Sequence, residues 1–427
     1  MGIFKLREHG TTITAEALAG VTTFLTMAYI IFVNPTILAD AGMDKGAVFV
    51  ATCLAAAVGS LAMGLYANYP IALAPGMGLN AYFTYGVVLG MGHSWQVALG
   101  AVFISGVLFL ILAVTRVREY IINSIPHSLK LAISAGIGLF LGIIALKNAG
   151  IIVAHPATLV TLGSLKAPPA ILACLGFFAM VAMDVRRVPG AIMIAILGTT
   201  AMGMLLGVTP YSGIAAMPPS IAPTFLQLDL SGALHVGLVT IIFAFLFVDL
   251  FDNAGTLIGL AHRAGMLDDK GRLPRIRQAL MADSVAAMVS GLLGTSTTTS
   301  YIERAAGIKA GGRTGLTAVV VALLFLCALF LAPLAGSIPD YATAPALLFV
   351  ACLMARGLAE VDWDDLTEAV PAAVTALAMP LTFSIAHGIS FGFISYAAIK
   401  LLSGRWRDIH PAVALLALAF VAKYALL

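Results

Sequence analysis

Apolar residues run along the chain in blocks of about 14 to 25 positions, separated by short polar or glycine- and proline-bearing stretches. A window of about 19 residues places them near 17–33, 48–65, 71–89, 97–114, 129–146, 170–183, 188–208, 236–260, 276–293, 295–308, 316–334, 343–358, 369–386, 389–402 and 410–427. A helix needs about 20 residues to cross hydrocarbon, so the pattern predicts fourteen or fifteen membrane-spanning segments. Past Thr367 the blocks are short and close together, and residues 369–402 read either as two crossings or as one broken helix.

Basic residues cluster at Lys5 and Arg7, Arg116 and Arg118, Arg186 and Arg187, Arg263 to Arg277, and Lys309 and Arg313. If every block up to 308 crosses, all five clusters fall on one side, which the positive-inside rule makes cytoplasmic together with the N-terminus. The most polar loop, 259–276, separates two halves of similar length. Residues 56–64 (AAVGSLAMG) match 286–294 (AAMVSGLLG) in small positions, and 20–32 matches 237–249 more loosely.

Composition agrees: of 427 residues only 10% are charged, 61% are hydrophobic and 42 are glycine, and the mean hydropathy is +1.03. These values exclude a soluble protein and suit closely packed helices in lipid. With 23 basic and 20 acidic residues, no charged tail is present to grip nucleic acid. Cys53, Cys174, Cys327 and Cys352 lie singly in apolar runs, with no metal or redox spacing, and read as buried free thiols. The polar start MGIFKLREHG leads into an apolar run without a small-residue cleavage site, so it does not read as a removable signal peptide.

Two blocks are interrupted. In YPIALAPGMGLNAYF, Pro75, Gly76 and Gly78 break a helix and free backbone groups; in GTSTTTSYIERAAGI, the polar β-branched run Thr295 to Ser300 leads into a helix too short to span. Interrupted segments at corresponding places in two halves point to a transporter's central site, although a proline kink packed against neighbours is the structural alternative. Three carboxylates lie in apolar blocks: Asp249, Asp252 and Glu303. Each costs about 2.5 to 3.5 kcal/mol at the bilayer centre, which argues for function, with an ion pair to Arg304 as the alternative for Glu303. Asn80 follows the first break and could either contact a ligand or cap the half-helix. Thr22, Thr23 and Thr26 could equally bond back to their own helix. His387 lies between two short blocks, and Gly138 with Gly142 fits close helix packing.

The segments GVTTFLTMAYIIFVNP, APGMGLNAYF, VDLFDNAGTLIG and GTSTTTSYIERAAGI together resemble the nucleobase cation symporter family, in particular its azaguanine-type purine permeases. The resemblance implies an all-α membrane protein of about fourteen segments in two inverted seven-segment repeats, 1–233 and 234–427. Each repeat would hold one broken segment, a short strand plus a half-helix. Segments 1–4 and 8–11 would form a core domain and 5–7 and 12–14 a gate domain, often in a homodimer. It further implies uptake of adenine, guanine or hypoxanthine with protons. Asn80, Asp249, Asp252 and Glu303 would form the site, Thr23 and Tyr301 would line it, and no cofactor or metal is called for. The three carboxylates are the proton-coupling candidates. Gly255 and Thr256 stand where uracil and xanthine carriers often show glycine and histidine, which favours a purine. An anion carrier of the same architecture would need cations at the breaks, and an intramembrane enzyme would need a nucleophile and base that the sequence does not display.

Overall fold

The structure is a computed structural model that describes residues 3–115, 124–234, 241–249, 274–300, 307–308 and 310–426. Among these, nine helical stretches are long and apolar enough to cross a membrane. Helices α1 (Ile13–Met27) and α2 (Ile30–Asp40) follow one another as a single span. Helix α3 (Lys45–Ala62) ends in a π-helical turn closed by Asn68 at φ 53°. Strand β1 (Leu73–Pro75) then leads into the short helix α4 (Met77–Ala81), which widens into a π-helix over Tyr82–Gly90. After α5 (Trp95–Thr115) and α6 (His127–Asn148) comes a small hairpin of β2 (Ile152–His155) and β3 (Leu159–Leu162). Helices α7 (Pro168–Val185), α8 (Ala191–Leu205) and the single turn α9 (Leu230–Ala233) precede helical residues 241–249.

The second half continues with α10 (Ile276–Leu293), strand β4 (Thr298–Ser300), α11 (Gly315–Ala328), α12 (Ala332–Ser337) and α13 (Asp340–Ala355). It closes with α14 (Leu366–Thr382), α15 (Ile385–Leu402) and α16 (Pro411–Leu426). Two packing groups emerge. Helix α3 packs on α10 and α11, α1 on α11, and α5 on α10; separately, α6 packs on α13 and α14, α14 on α15, and α13 on α7 and α8.

Small residues permit these approaches, because apolar lipid gives helices no solvent-driven reason to associate and close packing must hold them. A Cβ on Gly59 of α3 would stand 3.1 Å from Ala286 of α10. One on Gly138 of α6 would stand 2.7 Å from the Met354 Cβ of α13, which confirms the close-packing expectation there; at Gly142 the nearest atom, the Ala351 Cβ, lies at an ordinary 3.5 Å. The repeated segments 56–64 and 286–294 fall on α3 and α10. Their matching serines do parallel work: the Ser60 hydroxyl donates to the Leu73 carbonyl at 3.2 Å and accepts from the Leu73 N–H at 3.0 Å, while Ser290 hydrogen-bonds Thr298. Each half thus ties its own strand to its own second helix.

The ambiguous block resolves as two helices. Phe383, at φ 51°, reverses the chain, and Ser384 caps α15 by accepting the His387 N–H at 3.3 Å. Glycines 388 and 392 of α15 lie against Met379 and Thr375 of α14, so the pair is antiparallel. A partly buried ion pair closes the other end: Lys400, 2% exposed, meets Glu368, 23% exposed, at 2.7 Å, and Glu368 also accepts from the Ser128 hydroxyl of α6 at 2.5 Å. His387 stacks edge-on to Tyr424 of α16 at 5.7 Å, a packing role. The cysteines are free, as expected, but Cys53 alone is buried; Cys327 and Cys352 face outward from the bundle. That departure follows from lipid: an outward apolar face needs no burial inside protein.

Glu16 carries no sequence signal, yet it is fully buried. Its carboxylate accepts the backbone N–H groups of Arg313 at 2.9 Å and of Thr314 and Thr317 at 3.3 Å, together with the Thr317 hydroxyl at 2.6 Å. It therefore satisfies the open N-terminus of α11 from another helix. Glu16→Ala is expected to lower stability by about 2 to 3 kcal/mol because several buried donors lose their acceptor, and Glu16→Gln by less. Thermal unfolding of the purified protein in detergent distinguishes the two.

Candidate transport site

Pro75 lacks an N–H and cannot continue a helix, and the residue before a proline is pushed toward extended backbone. Thr297, Thr298 and Thr299 are β-branched and favour the same conformation. Both breaks are consequently extended, and they pair with each other. Strands β1 and β4 run antiparallel with Leu73 opposite Ser300, Ala74 opposite Thr299, and Pro75 opposite Thr298. The Gly76 N–H donates to the Thr297 carbonyl at 3.0 Å, and the Asn80 N–H donates to the Gly76 carbonyl at 2.8 Å, opening the half-helix. All six strand residues are buried. Gly76 is required by close approach: a Cβ there would run into the Thr299 methyl.

Side chains alternate along β4. Thr298 turns toward Ser290 on α10, whereas the hydroxyls of Thr297 and Thr299 are buried without a hydrogen-bond partner among the described residues. Asn80 is completely buried; its Oδ1 accepts from Ser296, and its Nδ2 has no partner among the described residues. Nearby polar groups brace the crossing. The buried Asn34 Nδ2 donates to Thr52 at 2.7 Å and to Thr295 at 2.8 Å, joining α2 and α3 to the second break.

Helical residues 241–249 approach the first half-helix through Phe245, whose ring meets Tyr82 edge-on at 4.9 Å. Residues four apart share a helix face, so Asp249, 1% exposed, lies on the face that Phe245 turns toward Tyr82. The helix that carries Asp249 thereby packs beside the half-helix that carries Asn80. Thr23 is buried, but its hydroxyl donates to the Ala19 carbonyl at 2.8 Å, and the side chain packs where a Cβ on Gly307 would fall. It meets Gly307 while bonded back to its own helix. Asp252, Tyr301 and Glu303 lie outside the described residues.

Sequence reasoning missed Asn34, Ser296, Thr297 and Thr299 as individual contributors. An amide amid an apolar run was the available signal for Asn34. In the sequence the threonines mark only a break, because which of them turns inward depends on strand register. Among the described residues no group of three His, Cys, Asp or Glu side chains could hold a metal. The chemistry on offer at the crossing is an amide donor and hydroxyls in a water-poor setting, suited to hydrogen-bonding a polar solute.

Many apolar helices surrounding two crossed, interrupted segments define a multi-pass membrane transporter. The Permease family profile matches residues 14–421, and the chain belongs to that family. It is 58% identical to a permease of Methanocaldococcus jannaschii, covering 99% of this chain and 98% of that one. It is 52% identical to the adenine permease AdeP of Escherichia coli (99% and 95% covered) and 46% identical to the guanine/hypoxanthine permease PbuG of Bacillus subtilis (99% and 99%). In fold it is similar to the transmembrane domain of a cyanobacterial bicarbonate transporter, BicA, with a TM-score of 0.65 at 16% identity over 90% of this chain and 97% of that one. Core-and-gate inverted-repeat architecture agrees with that likeness.

Proposed function

We propose that this chain imports purine nucleobases, namely adenine, guanine or hypoxanthine, across the cytoplasmic membrane in symport with protons by alternating access. The observation that carries the reading is the buried amide donor of Asn80 beside the paired strands, with Asp249 on a neighbouring helix face, in a chain that matches adenine and guanine/hypoxanthine permeases along almost its whole length. A purine presents ring nitrogens and exocyclic groups that such donors and carboxylates complement, and uncharged bases escape the repulsion an anion would meet. Asp252 and Glu303 complete the acidic set in this reading, Tyr301 and Thr23 line it, and one of the three carboxylates carries the proton.

Residues 1–233 and 234–427 form the two inverted repeats. The group around α3, α10 and α11 serves as the core domain and the group around α6 and α13 as the gate, with the N-terminus in the cytoplasm and two chains per assembly. The test is uptake of labelled hypoxanthine into proteoliposomes with an imposed pH gradient. Uptake is expected to rise with an inward proton gradient, to ignore sodium, and to fall in the presence of unlabelled adenine or guanine. Sodium-dependent uptake untouched by a protonophore, or competition by uracil alone, contradicts the reading.

A further inference from the structure

At the ends of α2 and α3 remote from the N-terminus, the described residues enclose a cavity of about 330 Å³. Ile31 of α2, Phe49 of α3, and Ala332 and Ala335 of α12 line it, together with Pro219 from the loop before α9. That loop is pinned in place: the Ala216 N–H donates to the Phe330 carbonyl at 3.0 Å, and the Ser212 N–H donates to the Ser337 hydroxyl oxygen at 3.0 Å. Among the described residues Lys45, which opens α3, is the one lining side chain that carries a charge or an N–H or O–H group. Its ammonium forms no salt bridge among those residues. The neighbouring Asp44 is occupied in capping α3, where it accepts the Ala47 N–H at 2.7 Å. Ile31 precedes the last residue of α2, Asp40, by nine positions, about 13 Å at 1.5 Å per residue. The cavity thus runs from a charged rim into hydrocarbon depth.

We propose that this cavity holds one hydrocarbon chain of a membrane phospholipid, with the lipid's phosphate at the Lys45 ammonium. The volume falls in the range of small-molecule sites, roughly 300 to 1,000 Å³. Water suits it poorly: on the order of ten molecules would fit, each wanting about two to four polar partners, and the lining side chains supply one ammonium. A nucleobase meets the same shortage, since its ring nitrogens and exocyclic groups would be left unpaired. An acyl chain asks only for contact. It gains nothing from leaving water, being in hydrocarbon already, but it supplies the walls with dispersion contacts that an empty space denies them. The Lys45 stem lies along apolar surface while its ammonium reaches the interface, where a phosphate accepts from it. Lipid is at hand, because Leu323 of α11 and Phe330 just before α12 are exposed apolar residues. No residue of the paired strands lines the cavity, and α2, α3 and α12 pack on one another. The lipid is therefore a component of one packing group and lies off the plane between the two.

Photolabelling of the full chain in nanodiscs tests this, with phosphatidylglycerol that carries a diazirine near the end of one acyl chain. Ile31 and Phe49 are 1% and 2% exposed, so bulk lipid does not reach them, whereas Leu323 faces it. The wild type is expected to take label in peptides spanning 28–38 and 46–52 as well as in the peptide that holds Leu323. Ala335→Phe and Ala332→Phe fill the space, and each is expected to cut the label on α2 and α3 about tenfold. Unchanged label at Leu323 shows that the variant is folded and inserted; should Ala335→Phe fail there, Ala332→Phe, at a partly exposed position, carries the test. Lys45→Gln is expected to lower the α2 and α3 label about threefold. Wild-type label confined to outward faces overturns the proposal, as does undiminished label on α2 and α3 in an inserted filled variant or in Lys45→Gln. Labelling is read without transport, so a failed purine reading leaves this result untouched.

Discussion

Asp249→Asn is expected to abolish concentrative nucleobase uptake while leaving the protein correctly inserted and folded. Asparagine preserves the volume and one acceptor oxygen but removes the charge and the capacity to bind a proton. If the carboxylate accepts an N–H from the purine, losing a charged hydrogen bond removes about 1.5 to 3 kcal/mol, a ten- to hundredfold loss of affinity. If it also carries the proton, accumulation driven by a pH gradient vanishes even at saturating substrate, whereas exchange of internal for external base persists weakly. The helix itself tolerates the change, because neutralising a carboxylate within the membrane relieves the insertion penalty. Glu303→Gln is expected to behave in the same way. Uptake and exchange measured at equal expression provide the check, and wild-type accumulation in either variant removes that carboxylate from the site.

A second large effect concerns space instead of charge. A Cβ on Gly78 would stand 2.5 Å from the Ile137 Cγ2 of α6, nearer than packed carbon atoms come. Gly78→Ala should therefore push the first half-helix off α6, at an energy of about 1 to 3 kcal/mol for overpacking. Because this is also the surface along which the proposed core and gate move, turnover is expected to fall at least about tenfold. Trimming the opposing side chain, as in Gly78→Ala with Ile137→Ala, should restore much of both stability and rate. Uptake and thermal unfolding of the two variants check this, and a double variant as impaired as the single one would show that the collision is elsewhere.

The sequence displayed the interrupted segments plainly, since Pro75 and the Thr295 to Ser300 run cannot belong to ordinary spanning helices. What it could not display was that the breaks hydrogen-bond to one another. Partners such as Ala74 and Thr299 are distant in the chain, and their register follows from how α3 and α10 pack. Glu16 escaped notice for a related reason: in the first turn of a first helix, an acid looks like an interfacial residue, and its role depends on an α11 N-terminus brought beside it by folding. Lys400 and Glu368 were likewise legible only as end-of-segment charges until the reversal at Phe383 set them face to face. Thr23 shows the opposite limit. Its identity matches a pocket position in the resembled family, but its hydroxyl bonds to Ala19, a local arrangement open to any helical threonine.

The pairing of β1 with β4 also sets a timetable for biogenesis. The partners of Leu73 to Pro75 are synthesised about 220 residues later, which at 5 to 20 residues per second is on the order of ten to forty seconds. Throughout that interval Ser60 can hold Leu73, but the strand groups that pair with the second half are unmatched inside or beside the bilayer, a condition that hydrocarbon penalises by several kcal/mol per group. The nascent first half must therefore be sheltered, by the insertion machinery or by water held around the strand, until the second half arrives. Premature termination between the two strands leaves a fragment that lacks the partner its first strand pairs with.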